Sequence, residues 1–273
     1  MRNKNLTTTL LISTYNWPQA LGLVLKSVFA QSMPPGEIII ADDGSSADTK
    51  KIIDGYRPLT KIPIKHLWQK DEGFRKTIIL NEAVRASTGN YIIQTDGDII
   101  LHRHFVKEHV SAAESGSFIR GSRTLINKIS TEKLLKNNST RVDFFSKGLI
   151  NRINGFHNAF LSNIFTGISA GGYKNGVIGC NFSYWKQDFI DVNGYNNDIT
   201  GWGQEDSELG ARLFNNGIKK KNLKYQAICF HLHHPHYSRE RDGFNKQLLE
   251  KTIANKITNC RNGFSLSHPV TVW

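Results

Sequence analysis

The chain has 273 residues, of which 39% are hydrophobic, and a formal net charge of +12. This length and composition allow a sizeable core, arranged as one large domain or two small ones. No stretch approaches the roughly 20 apolar residues of a membrane-spanning helix, and the N-terminus lacks a secretory cleavage pattern, so we expect a cytoplasmic protein. The charge favours an anionic partner, and nucleic acid, membrane lipid, nucleotide diphosphate and acidic glycolipid all qualify.

The three cysteines are odd in number, widely separated and without the spacing of metal ligands: Cys180, Cys229 and Cys260. This pattern argues against a disulfide framework and against a zinc knuckle. We therefore expect three reduced thiols.

The first hundred residues alternate short β-rich runs with helical stretches, the pattern of a mostly parallel sheet joined by crossover helices. The predicted strands are Thr9–Ser13, Glu37–Ala41, Ile62–His66 and Tyr91–Gln94, and the predicted helices are Gln19–Ala30, Asp48–Tyr56 and Phe74–Ala86. In open α/β sheets, ligands bind outside the carboxyl ends of the strands. Polar side chains follow three of these ends: Thr14, Tyr15 and Asn16, then Asp42 and Asp43, then Asp96 and Asp98.

The segment from Ser111 to Gly176 has weak periodicity, many Asn and Lys residues, and glycines at 167, 171, 172 and 176. Two interpretations stay open for it, a mobile loop or lid and a pair of helices. A clear pattern resumes with a predicted helix at Asp206–Asn216, which Gly217 ends.

Asp96 and Asp98 end an apolar run that begins at Tyr91. Because successive strand side chains point to opposite faces, we expect both carboxylates to project from one edge of a strand end. Such a pair suits Mg²⁺ or Mn²⁺, which also bind substrate phosphate oxygens. Asp-Gly-Asp is also a common surface turn, and that alternative stays open. The functional interpretation predicts a metal site for a diphosphate ligand.

Two further polar pairs in this half have both a structural and a functional interpretation. Asp42 and Asp43 suit turn and capping chemistry, but one carboxylate could accept hydrogen bonds from a nucleotide base or ribose. Arg75 and Lys76 could be the solvated start of a helix. Cations are unfavourable at that helix end, however, and a diphosphate would offset their charge.

A second acidic pair, Glu205 and Asp206, lies in the sequence Gly-Trp-Gly-Gln-Glu-Asp. The small residues beside Trp202 leave its ring free to stack on a ligand, and the helix dipole favours acids at a helix start. Capping alone would explain the acids. In the functional interpretation, one carboxylate is a general base that takes a proton from a hydroxyl.

Four histidines fall within six positions: His231, His233, His234 and His236. Each taken singly could be an ordinary surface or core residue. Imidazole suits Mn²⁺ better than Mg²⁺, however, so one of them could complete the coordination of a cation held by Asp98. His231 is the first choice for this role and His234 the second.

Together these motifs resemble the family 2 glycosyltransferases of the GT-A fold, and the resemblance covers nearly the whole chain. Leu11-Ile-Ser-Thr-Tyr-Asn16, Ile40-Ala-Asp-Asp-Gly-Ser45 and Asp96-Gly-Asp98 are similar to the family's opening strand, nucleoside-binding acid and metal-binding DxD motif. Gly179-Cys-Asn-Phe-Ser183, Val192-Asn-Gly-Tyr195 and Gly201-Trp-Gly-Gln-Glu-Asp206 resemble the acceptor half of β-1,4-galactosyltransferases and bacterial chondroitin polymerases.

The resemblance implies an α/β fold of the GT-A (Rossmann-like) type, with a mostly parallel sheet flanked by helices. Residues 1–110 would form a nucleotide-sugar-binding half that ends in the DxD motif, and residues 111–273 the acceptor-binding, catalytic half of the same domain. Asp206 would be the base, Glu205 would help to bind the acceptor sugar and Trp202 would close over it. The implied donor-binding residues are Thr14, Tyr15, Asn16, Asp42, Asp43, Arg75, Lys76, Asp96 and Gly179, and the implied metal ligands are Asp98 and His231 or His234.

The function that the resemblance implies is the inverting transfer of a sugar from a nucleotide-sugar, with UDP favoured, in the presence of Mn²⁺ or Mg²⁺. The acceptor would be a hydroxyl of a glycan or lipid-linked glycan in bacterial surface polysaccharide or lipopolysaccharide synthesis. A lipid-linked acceptor would place the protein peripherally at the inner face of the cytoplasmic membrane.

Two alternatives belong to other functional classes. A sugar nucleotidyltransferase typically needs a glycine-rich, basic phosphate loop after the first strand, and Ser13-Thr-Tyr-Asn-Trp-Pro18 is not one. A non-catalytic basic module would bind nucleic acid or membrane. Apart from Lys219-Lys-Lys221 the basic residues are dispersed and no nucleic-acid motif accompanies them, so we expect no nucleic-acid partner.

Overall fold

The computed structural model describes residues 6–168, 173, 176–235 and 238–273, and these form an α/β fold with two sheets. The strands are β1 (Thr8–Thr14), β2 (Glu37–Asp42), β3 (Ile64–Trp68), β4 (Tyr91–Asp96), β5 (Ile99–Leu101), β6 (Ser117–Arg120), β7 (Arg123–Ile126), β8 (Leu149–Ile150), β9 (Gly167–Ile168), β10 (Phe182–Trp185), β11 (Lys219–Asn222), β12 (Cys229–His231) and β13 (Thr271–Val272). The α-helices are α1 (Pro18–Phe29), α2 (Ala47–Tyr56), α3 (Lys76–Ala86), α4 (Phe105–Ala112), α5 (Lys128–Lys136), α6 (Ala159–Phe165), α7 (Lys186–Asp191), α8 (Glu205–Asn215) and α9 (Asp242–Ala254).

The larger sheet has the strand order β13-β3-β2-β1-β4-β10-β6-β11-β9 within the described ranges. Its four strands from the first hundred residues, β3, β2, β1 and β4, run parallel. Both faces of these strands are covered, which explains their continuous apolar sequences. Leu10 and Ile12 pack with α1 residues on one face, whereas Leu11 packs with α3 and α8 residues on the other. The predicted mostly parallel sheet flanked by helices is confirmed.

The predicted elements of the first hundred residues are all present, with ends displaced by up to two residues. The described part of the segment from 111 to 176 contains strands and the helices α5 and α6 rather than one long loop, while Gly171 and Gly172 lie outside the described residues. None of the helices in the described ranges combines the length and apolar character needed to cross a bilayer.

The smaller sheet, of order β5-β12-β7-β8 in the described ranges, adjoins the carboxyl end of β4. Strand β4 ends at Asp96, and Asp98 lies in the two-residue turn that leads into β5. Both aspartates thus lie at the carboxyl end of β4, Asp96 as the last strand residue and Asp98 in the turn that follows. Pairing of β12 with β5 sets His231 opposite Ile99, and the Leu232 N–H donates to the Asp98 carbonyl at 3.0 Å.

Glu37, at the start of β2, forms hydrogen bonds with three other chain segments at the amino-terminal end of the sheet. Its carboxylate accepts hydrogen bonds from the Thr9 hydroxyl at 2.7 Å, the Thr88 N–H at 2.6 Å and the Lys65 ammonium at 3.0 Å. Burial alone would raise the pKa of Glu37, but the bonds from Thr9, Thr88 and Lys65 lower it to about 2. The ionised carboxylate therefore contributes to the stability of the fold.

We expect Glu37→Gln to lower the free energy of unfolding at pH 7 by about 1–3 kcal/mol, because charge-assisted hydrogen bonds are lost. A depressed folded-state pKa stabilises the fold above the unfolded value of about 4.3, and this stabilisation is lost as pH falls toward 2. Urea unfolding at several pH values tests this, with the exposed Glu132→Gln as control. A difference between wild type and Glu37→Gln that persisted unchanged through this window would contradict the assignment.

Candidate active site

A cleft of about 730 Å³ lies at the carboxyl ends of β1, β2 and β4, where the strands deliver their last side chains to one edge. Its lining combines predicted residues from both halves of the chain: Thr14, Tyr15, Asp43, Lys76, Asp96, Asp98, Trp202, Glu205, His231 and His234. Residues without a predicted role also line it: Trp17, Arg123, Arg239 and Arg241 among others.

The ammonium of Lys76, at the first position of α3, links the two acidic pairs. Its Nζ lies 2.9 Å from Asp96 Oδ1 and 3.8 Å from Glu205 Oε1. Burial alone would lower the pKa of Lys76, but the carboxylates of Asp96, Asp206 and Glu205 raise it well above its usual value. The protein's own carboxylates therefore offset the charge of Lys76, and its role in binding a diphosphate stays a prediction.

Asp96 occupies the position in β4 that pairs with Ser13 of β1. The Ser13 hydroxyl donates to Asp96 Oδ1 at 2.6 Å, and Lys76 reaches the same oxygen. Burial opposes ionisation of Asp96, but Lys76 and the Ser13 hydrogen bond lower its pKa below the usual value. This carboxylate is thus held charged and fixed at the floor of the cleft.

Asp98, His231 and His234 form a group of oxygen and nitrogen donors. Asp98 Oδ2 lies 3.6 Å from His231 Nε2 and 3.4 Å from His234 Nε2, and one atom of each residue lies within 4.8 Å of the others. Within the described residues, the buried Asp98 Oδ1 has no hydrogen-bond partner. His233 lines the same cleft, and His236 lies outside the described residues.

The electrostatic environment of this group suits a divalent cation, because a bound ion would offset the burial of the Asp98 carboxylate. Burial, with the charge of Arg123 and His234, lowers the pKa of His231 to about 3, which leaves a neutral imidazole with a lone pair. Burial, with the charge of Asp96, raises the pKa of Asp98 to about 7. An unpartnered buried carboxylate oxygen beside neutral imidazole fits the ligand preferences of Mn²⁺.

Glu205 and Asp206 begin α8, which starts one residue before the predicted helix. Asp206 Oδ1 accepts hydrogen bonds from the Tyr195 hydroxyl at 2.8 Å and from Gln94 Nε2 at 3.3 Å. Burial raises the pKa of Asp206, and burial together with the Asp206 charge raises that of Glu205 to about 7. Two neighbouring carboxylates with raised pKa values are suited to proton transfer near neutral pH.

The start of α8 is fixed by a fully buried ion pair one turn further along. Arg212 Nη2 lies 2.7 Å from Glu208 Oε2, and Arg212 Nη1 donates to the Val192 carbonyl at 2.5 Å. Val192 precedes the turn that carries Tyr195. The same arginine therefore orients both the helix that holds Asp206 and the loop that supplies its hydrogen-bond donor.

Gly179 lies against Asp206 rather than on the floor of a donor pocket. A Cβ built on Gly179 would lie 2.1 Å from Asp206 Oδ2, closer than any real contact. Only glycine therefore allows the carboxylate to occupy its place. The side chain at the next position, Cys180, is buried and turned into the core.

Of the first aspartate pair, only Asp43 lines the cleft. Asp42 is fully buried, with Oδ1 accepting from the Ser45 N–H at 2.8 Å and Oδ2 lying 2.9 Å from His66 Nε2. Successive side chains alternate at a strand end, so Asp43 points to the other side. Burial raises the pKa of Asp43 to about 6, against the lowering effect of hydrogen bonds from Gln69 and the Arg75 N–H.

Two residues at the end of β1 and in the turn after it line the cleft, and the next residue has a structural role. Thr14 and Tyr15 line the cleft, and the Tyr15 hydroxyl donates to Asp71 at 2.9 Å. Asn16 instead accepts from the Ser46 N–H at 2.8 Å and has a left-handed backbone, with φ of 46°. The Asn16 side chain therefore holds two loops together.

The guanidinium of Arg75 is likewise engaged by its own loop. It pairs with Glu72 at 2.8 Å and donates to the Lys70 carbonyl at 3.0 Å. The prediction grouped Arg75 with Lys76, but only Lys76 reaches the cleft, because the two neighbours point in different directions at the helix start.

Trp202 forms the opposite wall of the cleft, with 36% of its surface exposed. The guanidinium of Arg239 lies 5.2 Å from the centre of its ring. Gly203 and Gln204 both have left-handed backbones, with φ of 110° and 72°. These angles turn the chain sharply between Trp202 and the acidic pair, so that Trp202 and Glu205 line the same cavity, whereas Asp206 is not part of its lining.

Comparison with known proteins identifies the family. Residues 9–179 match the model of the family described as glycosyl transferase family 2, which is more than half of the chain. The chain belongs to glycosyl transferase family 2. Residues 168–235 also match the model described as the N-terminal domain of galactosyltransferase, and these residues contain the acidic pair and His231.

Curated relatives of this family 2 glycosyltransferase include two bacterial enzymes that align with nearly its whole length. Chondroitin synthase of Escherichia coli is 25% identical over 272 residues, which cover 91% of this chain and 38% of the relative. Validoxylamine A glucosyltransferase of Streptomyces hygroscopicus subsp. limoneus is 26% identical over 275 residues, which cover 96% and 56%. The chain thus spans between about two fifths and three fifths of these relatives.

Solved structures similar to this glycosyltransferase share its fold. TarS of S. aureus in complex with UDP has a TM-score of 0.62 at 15% identity and covers 95% of this chain and 68% of its own. The mannosyltransferase PcManGT of Pyrobaculum calidifontis, in complex with GDP-Man and Mn²⁺, has a TM-score of 0.58 at 14% identity, with coverage of 85% and 58%. The predicted GT-A fold is confirmed by these neighbours.

Several site residues were missed by sequence reasoning. Gln94 carried a signal, because it is a polar residue in an otherwise apolar strand. Tyr195 falls inside a quoted motif, but its role became visible only through its contact with Asp206. Arg123, whose guanidinium lies 3.9 Å from Cys180 Sγ at the cleft, had no distinguishing pattern.

We expect Gly179→Ala to reduce transfer by about 100-fold while the protein stays folded, because the new methyl group displaces the Asp206 carboxylate and misplaced catalytic groups cost on this order. Steady-state kinetics and thermal melting measure the two effects. Gly55→Ala in α2, where a Cβ meets nothing within 4 Å, is the matched control. Full activity of Gly179→Ala would contradict a fixed position for Asp206.

We expect Asp98→Asn and His231→Ala each to weaken Mn²⁺ binding by about 100-fold or more, since even outer-shell changes at metal sites cost 10–100-fold. Titration calorimetry without nucleotide measures the affinity. His157→Ala is the control, because His102, Glu108 and His157 form a second group of close donors. If His157→Ala lost Mn²⁺ binding and Asp98→Asn kept it, the ion would bind at His102, Glu108 and His157 instead, and the assignment to Asp98 would be wrong.

Proposed function

We propose that this glycosyltransferase moves a sugar from a nucleotide-sugar, with UDP as the favoured nucleotide, to a hydroxyl of a glycan or glycolipid acceptor, with inversion at the anomeric carbon and with Mn²⁺ or Mg²⁺ bound. We place this reaction in the synthesis of bacterial surface polysaccharide or lipopolysaccharide. The observation that carries the proposal is the Lys76 bridge, which holds Asp96 and Glu205 within 4 Å of one ammonium. Asp96 and Glu205 both line the cleft, and Asp206 follows Glu205 at the start of α8.

Asp98 and the imidazoles of His231 and His234 would hold the cation, which when bound would neutralise charge on the departing nucleoside diphosphate. Asp43 faces the space beside the turn after β1, where its carboxylate would accept hydrogen bonds from the nucleoside. Tyr15, exposed at the mouth of the cleft, would contact the base.

Asp206 would accept the proton of the attacking hydroxyl as that oxygen bonds to the anomeric carbon and the bond to the diphosphate breaks. Tyr195 and Gln94 orient its carboxylate for this transfer. Glu205 would hold another hydroxyl of the acceptor sugar, and Trp202 would cover the sugar face. Fixing both sugars in this way supplies much of the rate acceleration.

Support for the donor class comes from the neighbours. TarS is in complex with UDP, and GalNAc-T7, at 16% identity and a TM-score of 0.60, is in complex with UDP, GalNAc and Mn²⁺. PcManGT is in complex with GDP-Man, so GDP-sugars belong in any donor panel. The two chondroitin synthases, of E. coli and Pasteurella multocida, support a glycan acceptor.

We expect Asp206→Asn to lower kcat by about 10²–10⁴-fold and to leave nucleotide binding intact, because only proton acceptance is lost. Release of nucleoside diphosphate from UDP-sugars and GDP-sugars, with cell-envelope glycolipid as acceptor, measures turnover, and calorimetry measures binding. Glu205→Gln is the comparison, for which we expect mainly a higher acceptor KM. Turnover preserved in Asp206→Asn would exclude it as the base.

The pH profile provides a separate check. Because a general base must be ionised, and burial raises the pKa of Asp206, we expect kcat to fall toward acid with a midpoint above the ordinary aspartate value of about 3.9. Glu205→Gln removes a negative neighbour and should move that midpoint to lower pH. A midpoint that did not move would show that the two carboxylates titrate independently.

A further inference from the structure

Exposed apolar side chains are concentrated in one short part of the chain. Fifteen large hydrophobic residues are exposed among the described residues, and six of them lie between residues 145 and 165. They are Phe145, Ile150, Ile153, Phe160, Ile164 and Phe165, called the apolar patch below. Single exposed hydrophobic residues need no explanation, but a concentration of them marks an interaction surface.

Helix α6 shows that this exposure is not an accident of one loop. Phe160 and Ile164, four residues apart on one helical face, are 73% and 59% exposed, whereas Ser162 is 1% exposed. A surface helix normally buries its apolar face and exposes its polar one. The sequence of α6 therefore favours contact with something apolar outside the described fold.

A row of aromatic rings joins α6 to the rest of the patch. The ring of Phe165 lies 5.7 Å from that of Tyr225, which lies 6.1 Å from Phe156. Phe156 in turn lies 5.2 Å from Phe144, the neighbour of Phe145. The two ends of the patch are thus connected through packed side chains rather than scattered over the molecule.

The chain segment next to the patch is basic. Five lysines and arginines between residues 128 and 147 are exposed: Lys128, Lys133, Lys136, Arg141 and Lys147. The two exposed acids of the same stretch are engaged, Glu132 by Lys128 at 4.0 Å and Asp143 by the Phe145 N–H at 3.0 Å. Protein–protein interfaces are depleted in lysine, whereas membrane-docking surfaces combine lysine and arginine with aromatic and aliphatic residues.

The patch also reaches the cleft. Ile150 is 52% exposed and at the same time lines the cavity that contains Asp96 and Glu205. A molecule lying on the patch would therefore stand at the mouth of the site. This geometry suits an acceptor whose sugar enters the cleft while its lipid stays in a bilayer.

We propose that the apolar patch and the basic segment next to it dock the protein onto an anionic phospholipid bilayer, with the cleft opening at the membrane surface. The link to a lipid-linked acceptor rests on the proposed function, whereas docking itself does not. Insertion of Phe160 and Ile164 would supply apolar contact, and the lysines would attract anionic headgroups, an attraction that salt weakens.

Vesicle co-sedimentation tests this, with phosphatidylcholine vesicles that contain or lack phosphatidylglycerol. We expect the wild type to bind the anionic vesicles at low salt and to release them as salt rises. The double variant Phe160→Ser, Ile164→Ser should bind about tenfold more weakly or worse, since two apolar side chains no longer insert. Leu59→Ser, which changes an equally exposed residue outside the patch, should bind like the wild type.

Two measurements separate docking from catalysis. Asp206→Asn should bind vesicles normally, and the double variant should keep its nucleotide-dependent thermal shift. The docking proposal and the proposed function can therefore fail independently of each other. Absence of wild-type binding at low salt, or equal binding by the double variant, would overturn the proposal. A wild-type dimer in sedimentation that becomes monomeric in the double variant would also overturn it, because a second copy would then be the occupant.

Discussion

The buried ammonium of Lys76 is the constraint on which the site depends. A charge removed from water is stable only with opposite charges close by, and here Asp96 and Glu205 come from elements far apart in sequence. Helix α3 must meet the end of β4 on one side and the start of α8 on the other. The segments before and after residue 110 therefore meet at this ammonium, which pairs with one carboxylate from each.

The sequence predicted correctly those features that depend on residues close together in the chain. Apolar runs ending in polar residues located β1, β2 and β4 to within one or two residues, and parallel pairing then placed Asp96 and Asp43 at one edge. The acidic pair at Glu205 was equally visible, because helix starts favour acids. The choice of His231 and His234 came from a tract of four histidines, from the preference of Mn²⁺ for imidazole and from the family resemblance. The structure brings both to Asp98, and their role in binding metal stays a prediction.

Side-chain direction and long-range contacts could not be predicted from the sequence. Asp42, Asn16 and Arg75 are polar residues at the carboxyl ends of strands or at a helix start, where a ligand is expected. Their side chains instead contact His66, the Ser46 N–H and Glu72, respectively. No local pattern distinguishes a carboxylate that faces a ligand from one that faces a buried histidine. The apolar patch was not predicted, because the weak periodicity of residues 111–176 gave no clear signal for α6, whose apolar side chains are exposed.

The most direct test of the shared cleft is thermal melting with UDP, GDP, CDP and dTDP, each with and without Mn²⁺, in the wild type, Asp98→Asn and Asp206→Asn. A ligand at 100 times its dissociation constant stabilises a fold by about 2.7 kcal/mol, a shift of several degrees at this size. We predict that one nucleotide stabilises the wild type and Asp206→Asn only with Mn²⁺, and fails to stabilise Asp98→Asn. The proposed site would be contradicted if the nucleotide still stabilised Asp98→Asn. It would also be contradicted if none of the four nucleotides stabilised the wild type.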